Sequence, residues 1–273
     1  MVAKVRNTIF FFLAVSFFSC SQKQDQSVND VPADTTRQEI SQNAEPFAVV
    51  ELFSSEGCSD CPAAEEVLNK ITKDAMADKS YIYPLAFHVD YWNKLGWKDT
   101  FGDSAYSNRQ RKYRAAFGNE VVYTPQMILN GEIEFVGSDE HKADSTIAAE
   151  LRKAPSAYFT IHPTGNMKNN GEFPVEYDIL QMPDGQGNLS DYNFCLALVE
   201  RNLETNVTRG ENKGKTLKHE NVVRSFITVE LKDKKGEIKI PLGNVGITKN
   251  NSLIAFIQKK KTMKIIGANL WNF

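Results

Sequence analysis

Phe47-Ala48-Val49-Val50-Glu51-Leu52-Phe53-Ser54-Ser55-Glu56-Gly57-Cys58-Ser59-Asp60-Cys61-Pro62 is the stretch on which the fold turns. Its first seven residues form a short, almost unbroken apolar run, the pattern of a strand buried on both faces. Ser54 to Gly57 reads as a turn. Two cysteines three positions apart follow, and Pro62 suits a first helical turn, where no backbone donor is needed. Ala64, Val67, Leu68, Ile71 and Ala75 then recur at three- and four-residue spacing, predicting an amphipathic helix. Glu65 and Glu66 fall in its first turn, where carboxylates complement the helix dipole. A C-x-x-C that closes a strand and opens a helix is suited to redox chemistry. The helix start stabilises a thiolate at Cys58, and the spacing brings Cys61 within disulfide reach. Cys58 is expected to be the exposed nucleophile and Cys61 the resolving thiol.

Downstream, Tyr81 to Val89 reads as a second buried strand, and Asp90 to Phe101 as a loop carrying Tyr91, Trp92 and Trp97. A helix is predicted over Asp103 to Phe117, capped by Asp103 or Ser104 and stopped by Gly118. Asn130-Gly131 between two apolar segments signals a hairpin, and a further helix is expected from Ser138 to Lys153. Thr124-Pro125 lies just before the hairpin.

At this point the chain resembles the thioredoxin superfamily, over roughly Phe47 to Lys153. The resemblance implies that Pro125 is cis, that it packs beside the cysteine pair, and that Thr124 borders a groove for an extended peptide. Two positions depart from the pattern. Leu52 stands where thioredoxins place a buried acid, with Glu51 one residue away as a candidate proton relay. The intervening dipeptide is Ser59-Asp60, and Asp60 opposes a nearby thiolate while offering an acid or base. The motifs Phe87-His88-Val89-Asp90-Tyr91-Trp92, Gly96-Trp97, Ser107-Asn108-Arg109-Gln110-Arg111 and Tyr123-Thr124-Pro125-Gln126 resemble an uncharacterised family of secreted thioredoxin-like proteins. Thr208-Arg209-Gly210-Glu211-Asn212, Leu217 and Asn221-Val222-Val223-Arg224 extend that resemblance into the second half.

From about Ala154 the texture changes. Tyr158 to His162, Phe173 to Leu180, Asn193 to Glu200, Ser225 to Leu231, Glu237 to Ile240, Ser252 to Gln258 and Met263 to Leu270 all read as strands. The expected architecture is an α/β thioredoxin-like domain with a helical insertion over 47–153, followed by an all-β, immunoglobulin-like sandwich over 154–273.

The first twenty residues read as a bacterial lipoprotein signal. Lys4 and Arg6 precede an apolar run from Thr8 to Phe18, and the run ends at Ser19-Cys20. Cys20 is then the lipidated residue; an ordinary secretory signal cut nearby is the alternative. Residues 21–46 are polar and aperiodic, the composition of a disordered tether. Both readings export the chain to a compartment where disulfides persist, either the periplasm or the cell surface.

The composition, 41% hydrophobic and 24% charged, excludes global disorder, and a net charge of -2 gives no bulk attraction to nucleic acid. Arg109 to Arg114 and Lys259 to Lys261 read as solvated. Four cysteines, one of them Cys20, are too few for a four-Cys zinc site. No metal or cofactor is expected. His88 ends the second strand and could tune a thiolate, join both sulfurs on Cu(I), or simply be structural. His141, His162 and His219 are read as surface residues, and Cys195 as a core thiol. The expected function is a thiol–disulfide oxidoreductase acting on protein disulfides with an unidentified redox partner. The alternatives are a non-catalytic binding lipoprotein on a thioredoxin scaffold and a Cu(I) metallochaperone.

Overall fold

A computed structural model describes residues 45–165, 171–183 and 188–273. The expected signal, Cys20 and nearly all of the tether lie outside the described residues.

Strand β1 (Ala48–Ser54) is wholly buried and leads through the Cys58–Cys61 turn into helix α1 (Cys61–Asp78). Strand β2 (Ile82–His88) returns parallel to β1. Helix α2 (Ser104–Phe117) is capped by the Asp103 carboxylate, which accepts from Ala105 N, and it stops at Gly118 with φ 73°. Strands β3 (Gln126–Leu129) and β4 (Ile133–Val136) form the expected hairpin, β3 lying antiparallel to β1. Asn130 and Gly131 both have positive φ, 47° and 69°, as the tight hairpin turn demands. Gly131 is required there on a second ground, since a Cβ would lie 2.0 Å from Met263 O. Helix α3 (Glu140–Glu150) is shorter than expected, because the Asp139 side chain caps it by accepting from Lys142 N.

The strands after residue 154 fall close to their expected positions: β5 (Tyr158–Pro163), β6 (Glu172–Gln181), β7 (Tyr192–Glu200), β10 (Val222–Glu230), β11 (Lys235–Pro241), β12 (Asn251–Lys259) and β13 (Ile265–Asn272). Two short strands, β8 (Leu203–Asn206) and β9 (Thr216–His219), were not anticipated. Their arrangement corrects the expected sandwich. Strands β7, β10, β12 and β13 do not stand apart but continue the first half's sheet, in the order β13-β12-β7-β10-β2-β1-β3-β4. The seam is narrow: Val222 pairs with Ala86, and Ala86 N donates to Asn221 O at 3.0 Å. A three-stranded sheet, β11-β6-β5, covers one face of the second half. The protein is therefore mixed α/β around one large sheet.

Alternation along the strands sorts the core into three parts. Ala48, Val50 and Leu52 of β1 face α1 and α3 with Leu68, Ile71, Met127 and Ile147. Val49 and Phe53 face the opposite side, where Tyr106 and Tyr113 of α2 meet Phe87, Cys195, Val199 and Phe256. Helix α2 thus bridges the seam, burying apolar surface from both halves, and each such large side chain contributes roughly 1.5–3 kcal/mol. The third part, with Phe159, Val175, Phe194, Leu198 and Ile257, lies between the two sheets.

Arg109 lies inside the α2 core, contrary to the solvated face read from its basic neighbours. It is 6% exposed and forks onto Glu51, Nε to Oε2 at 2.6 Å and Nη2 to Oε1 at 2.8 Å. Tyr113 OH also donates to Glu51, and Arg109 Nη1 donates to Gln258 Oε1 at 3.2 Å. The rings of Phe87, Tyr113, Phe226 and Phe256 surround the guanidinium at 4.7–5.5 Å, a cation–π cage. Strands β1 and β12 are tied through this one helix residue.

Candidate redox site and the buried histidine cluster

Cys58 and Cys61 form a disulfide at the start of α1. The Thr124–Pro125 bond is cis, and Thr124 Oγ1 lies 3.5 Å from Cys58 Sγ. The sequence-predicted pair and the Thr-Pro segment are thus brought together. Contrary to expectation, Cys58 is as buried as Cys61, each 1% exposed.

Two loops do the covering. In the aromatic loop, Trp92 Nε1 donates to Thr124 Oγ1 at 2.8 Å, and Trp97 Nε1 to Glu56 Oε2 at 2.8 Å. In the β8–β9 loop, Asn212 Nδ2 donates to Glu56 O at 2.9 Å and Cys58 O at 2.8 Å. Glu211 accepts from Ser59 N at 3.0 Å. Gly210, with φ 74°, packs so closely on Trp97 that a Cβ would lie 3.0 Å from the Trp97 Cβ. Ser59 and Asp60 remain exposed.

The other candidates are placed differently. Glu51 faces α2, and its carboxylate is held by Arg109 and Tyr113, so the proton-relay expectation finds no support in its contacts. His88 does not turn to the sulfurs: its Nδ1 lies 2.8 Å from Asp99 Oδ2 and its Nε2 3.5 Å from Glu65 Oε1. The Cys58, Cys61 and His88 set imagined for Cu(I) is not assembled. His219, expected at the surface, is 1% exposed and stacks edge-on to His88 with ring centroids 5.1 Å apart. Its Nε2 lies 3.3 Å from Glu56 Oε1 and its Nδ1 3.4 Å from Glu65 Oε2. His141 and His162 are exposed, as expected.

The charges in this cluster sustain one another. Burial opposes a charged His88, but Asp99 and Glu65 outweigh it and raise its pKa. Burial likewise opposes charge on His219, yet Glu56 and Glu65 push it up to about 10. Burial works to raise the Glu65 carboxyl, but His219 and His88 hold it below its ordinary value. Asp99 is lowered in the same way, with burial overcome by His88 and by the Glu56 and Phe101 backbone N–H groups.

A family profile described as "Protein of unknown function (DUF1223)" matches residues 49–258. The chain belongs to that family. The DUF1223 chain is also 27% identical over 94 residues to a thioredoxin from Methanocaldococcus jannaschii, a match covering 34% of this chain and 84% of that protein. Protein AGR_C_4864 from Agrobacterium tumefaciens, solved by crystallography, superposes with a TM-score of 0.62 at 27% identity, over 84% of this chain and 95% of its own. HBP35 of Porphyromonas gingivalis shares the fold, with a TM-score of 0.59 at 14% identity, over 84% and 76% of the two chains.

In this DUF1223 chain, sequence reasoning missed Glu56, Asp99 and His219, and it read Glu65 only as a complement to the helix dipole. One signal pointed toward them. The Thr208 to Asn212 motif carries Asn212, which donates to the Cys58 carbonyl, and the Leu217 and Asn221 motifs lie two residues either side of His219.

Proposed function

We propose that this protein is a thiol–disulfide oxidoreductase of the bacterial envelope, anchored through Cys20 to a membrane facing the periplasm or the cell surface. The carrying observation is the Cys58–Cys61 disulfide with Thr124 Oγ1 against Cys58 Sγ. The thioredoxin similarity and the export signal read from residues 1–20 support it.

In the reducing direction, the Cys58 thiolate attacks a substrate disulfide and one substrate thiolate leaves. Cys61, as thiolate, then attacks Cys58 Sγ and releases the second. Two electrons pass to the substrate and the pair is left oxidised; the reverse sequence introduces a disulfide. Thr124 and Pro125 border the substrate peptide. Asp60 is the exposed charge nearest in sequence and a candidate for tuning the pair.

A second reading is favoured by one observation, the 1% exposure of both cysteines. On that reading the disulfide is structural and the fold is a scaffold for binding a partner. Equilibration in dithiothreitol and glutathione buffers separates the two. A redox-active pair titrates reversibly and, once reduced, turns over a protein disulfide substrate, and Cys58→Ser abolishes turnover. A pair that resists reduction in the folded chain, with no turnover, eliminates the oxidoreductase.

A further inference from the structure

We propose that Glu65, His88 and His219 form a binding site for one divalent cation of the Zn²⁺ class. This departs from the sequence, which held no metal pattern. The ligands come from α1, the end of β2 and the end of β9, so no spacing motif announces them.

Three observations carry the site. First, Glu65, His88 and His219 each offer a ligand atom, all within 4.8 Å of one another and all buried. Second, His88 Nε2, His219 Nε2, Glu56 Oε1 and Glu65 Oε1 make no hydrogen bond of normal geometry among the described residues. Their nearest partners are one another at 3.3–3.5 Å, so their burial is only partly compensated. Third, Glu65 is spaced from both histidines as ligands are: His88 Nε2 to Glu65 Oε1 is 3.5 Å and His219 Nδ1 to Glu65 Oε2 is 3.4 Å. Donors at about 2.05 Å around a tetrahedral Zn²⁺ stand about 3.3 Å apart.

The surroundings agree. Asp99 holds the far nitrogen of His88 at 2.8 Å, which fixes the ring with Nε2 free to ligate, the usual outer support of a metal-bound histidine. Glu56 backs His219 in the same way, its Oε1 3.3 Å from His219 Nε2 and its Oε2 accepting from Trp97 Nε1 at 2.8 Å. Mixed imidazole and carboxylate ligands select Zn²⁺, Fe²⁺, Co²⁺ or Mn²⁺ over soft Cu(I) or hard Ca²⁺. A cleft of about 410 Å³, lined by Ser54, Glu56, Glu65, Asn69, Leu217 and His219, gives a path from solvent.

The test uses the purified full-length protein in its oxidised state, where both cysteines are tied in the disulfide and cannot ligate. This keeps the proposal separable from the redox reading. The protein is stripped with chelator, dialysed, and titrated with Co²⁺. The expected result is one Co²⁺ per chain with visible d–d bands, displaced by one equivalent of Zn²⁺. His219→Gln and Glu65→Gln should each weaken binding roughly tenfold or more, and His141→Gln, at an exposed position, should not. A folded wild-type protein that retains no stoichiometric Co²⁺ or Zn²⁺ overturns the site, as does undiminished binding by folded His219→Gln. The wild-type stoichiometry decides the matter even where a variant does not fold.

Discussion

His88 Nδ1 lies 2.8 Å from Asp99 Oδ2, with both side chains buried from solvent. Asp99 does more than hold the ring. It accepts from Glu56 N at 2.7 Å and from Phe101 N at 2.9 Å, so one carboxylate fixes the end of β2, the turn before Cys58 and the far end of the aromatic loop. Asp99→Ala strands two backbone donors and a buried imidazole. The expected loss is about 3 kcal/mol, measured as a lower urea midpoint with an unchanged slope. A loss below about 0.5 kcal/mol, the range of ordinary surface substitutions, contradicts this role.

The Glu51–Arg109 pair makes a different prediction, because its two members are costly only when separated. Arg109→Met leaves a buried carboxylate without its counter-ion and should destabilise the protein by about 3–5 kcal/mol. The double variant Glu51→Leu/Arg109→Met removes both charges and should recover most of that loss. Chemical denaturation of the single and double variants measures it. Since the Glu51 carboxylate is engaged on the α2 side, Glu51→Gln should leave the pH profile of Cys58 alkylation in the reduced protein unmoved. A displaced profile would restore Glu51 as a proton relay.

These residues also mark what the sequence could and could not reveal. The β1–Cys58–Cys61–α1 unit, the Thr124-Pro125 segment and the Asn130-Gly131 hairpin were legible because each is written in adjacent residues. The strands of the second half were legible through alternation. The seam was not, since alternation tells which face of a strand is buried and nothing about which edge it joins. Arg109 was misread because Arg111, Lys112 and Arg114 around it are exposed. Tyr106 and Tyr113, three residues before and four after it, were the local signs of a buried face. His219 was missed because it closes a four-residue strand and its partners lie 131 and 154 residues away, at His88 and Glu65.

Acid should weaken the β3–β4 hairpin through Glu134. Burial acts to raise this carboxyl, but bonds from Tyr123, Gln126 and Asn119 hold it below its ordinary value of 4.5. A folded-state pKa below the unfolded one adds stability that is present above the unfolded value and is lost as pH falls through the folded one. The stability difference between wild type and Glu134→Gln should therefore be constant near neutrality and shrink below about pH 4.5. Urea melts at pH 7, 5, 4 and 3 would show it, and a difference that grows on acidification would reverse the sign assigned to Glu134.

Cys195 separates reactive from inert thiols in one experiment. It is wholly buried in β7, and burial pushes its thiol up to about 11. After reduction of the native protein, iodoacetamide at pH 8 should modify the Cys58–Cys61 pair and spare Cys195 until denaturant is added. Peptide mass mapping reads the order. Early labelling of Cys195 would mean that the β7–β12 core opens far more readily than its packing implies.

Access to the disulfide should be governed by Asn212. Its amide donates to both Glu56 O and Cys58 O, pinning the β8–β9 loop to the backbone of the turn that carries Cys58. A reductant cannot reach a cysteine that is 1% exposed without displacing what covers it, so the observed rate includes the cost of opening. Removing two hydrogen bonds lowers that cost by about 1–2 kcal/mol, which corresponds to roughly 5- to 30-fold in the opening equilibrium. Asn212→Ala should accelerate reduction by dithiothreitol by a factor in that range while leaving the equilibrium potential of the pair nearly unchanged. Stopped-flow reduction combined with a redox titration distinguishes the outcomes. An unchanged rate would mean that the covering loop is not the barrier, and the Trp92–Thr124 contact at 2.8 Å would then be the next to remove.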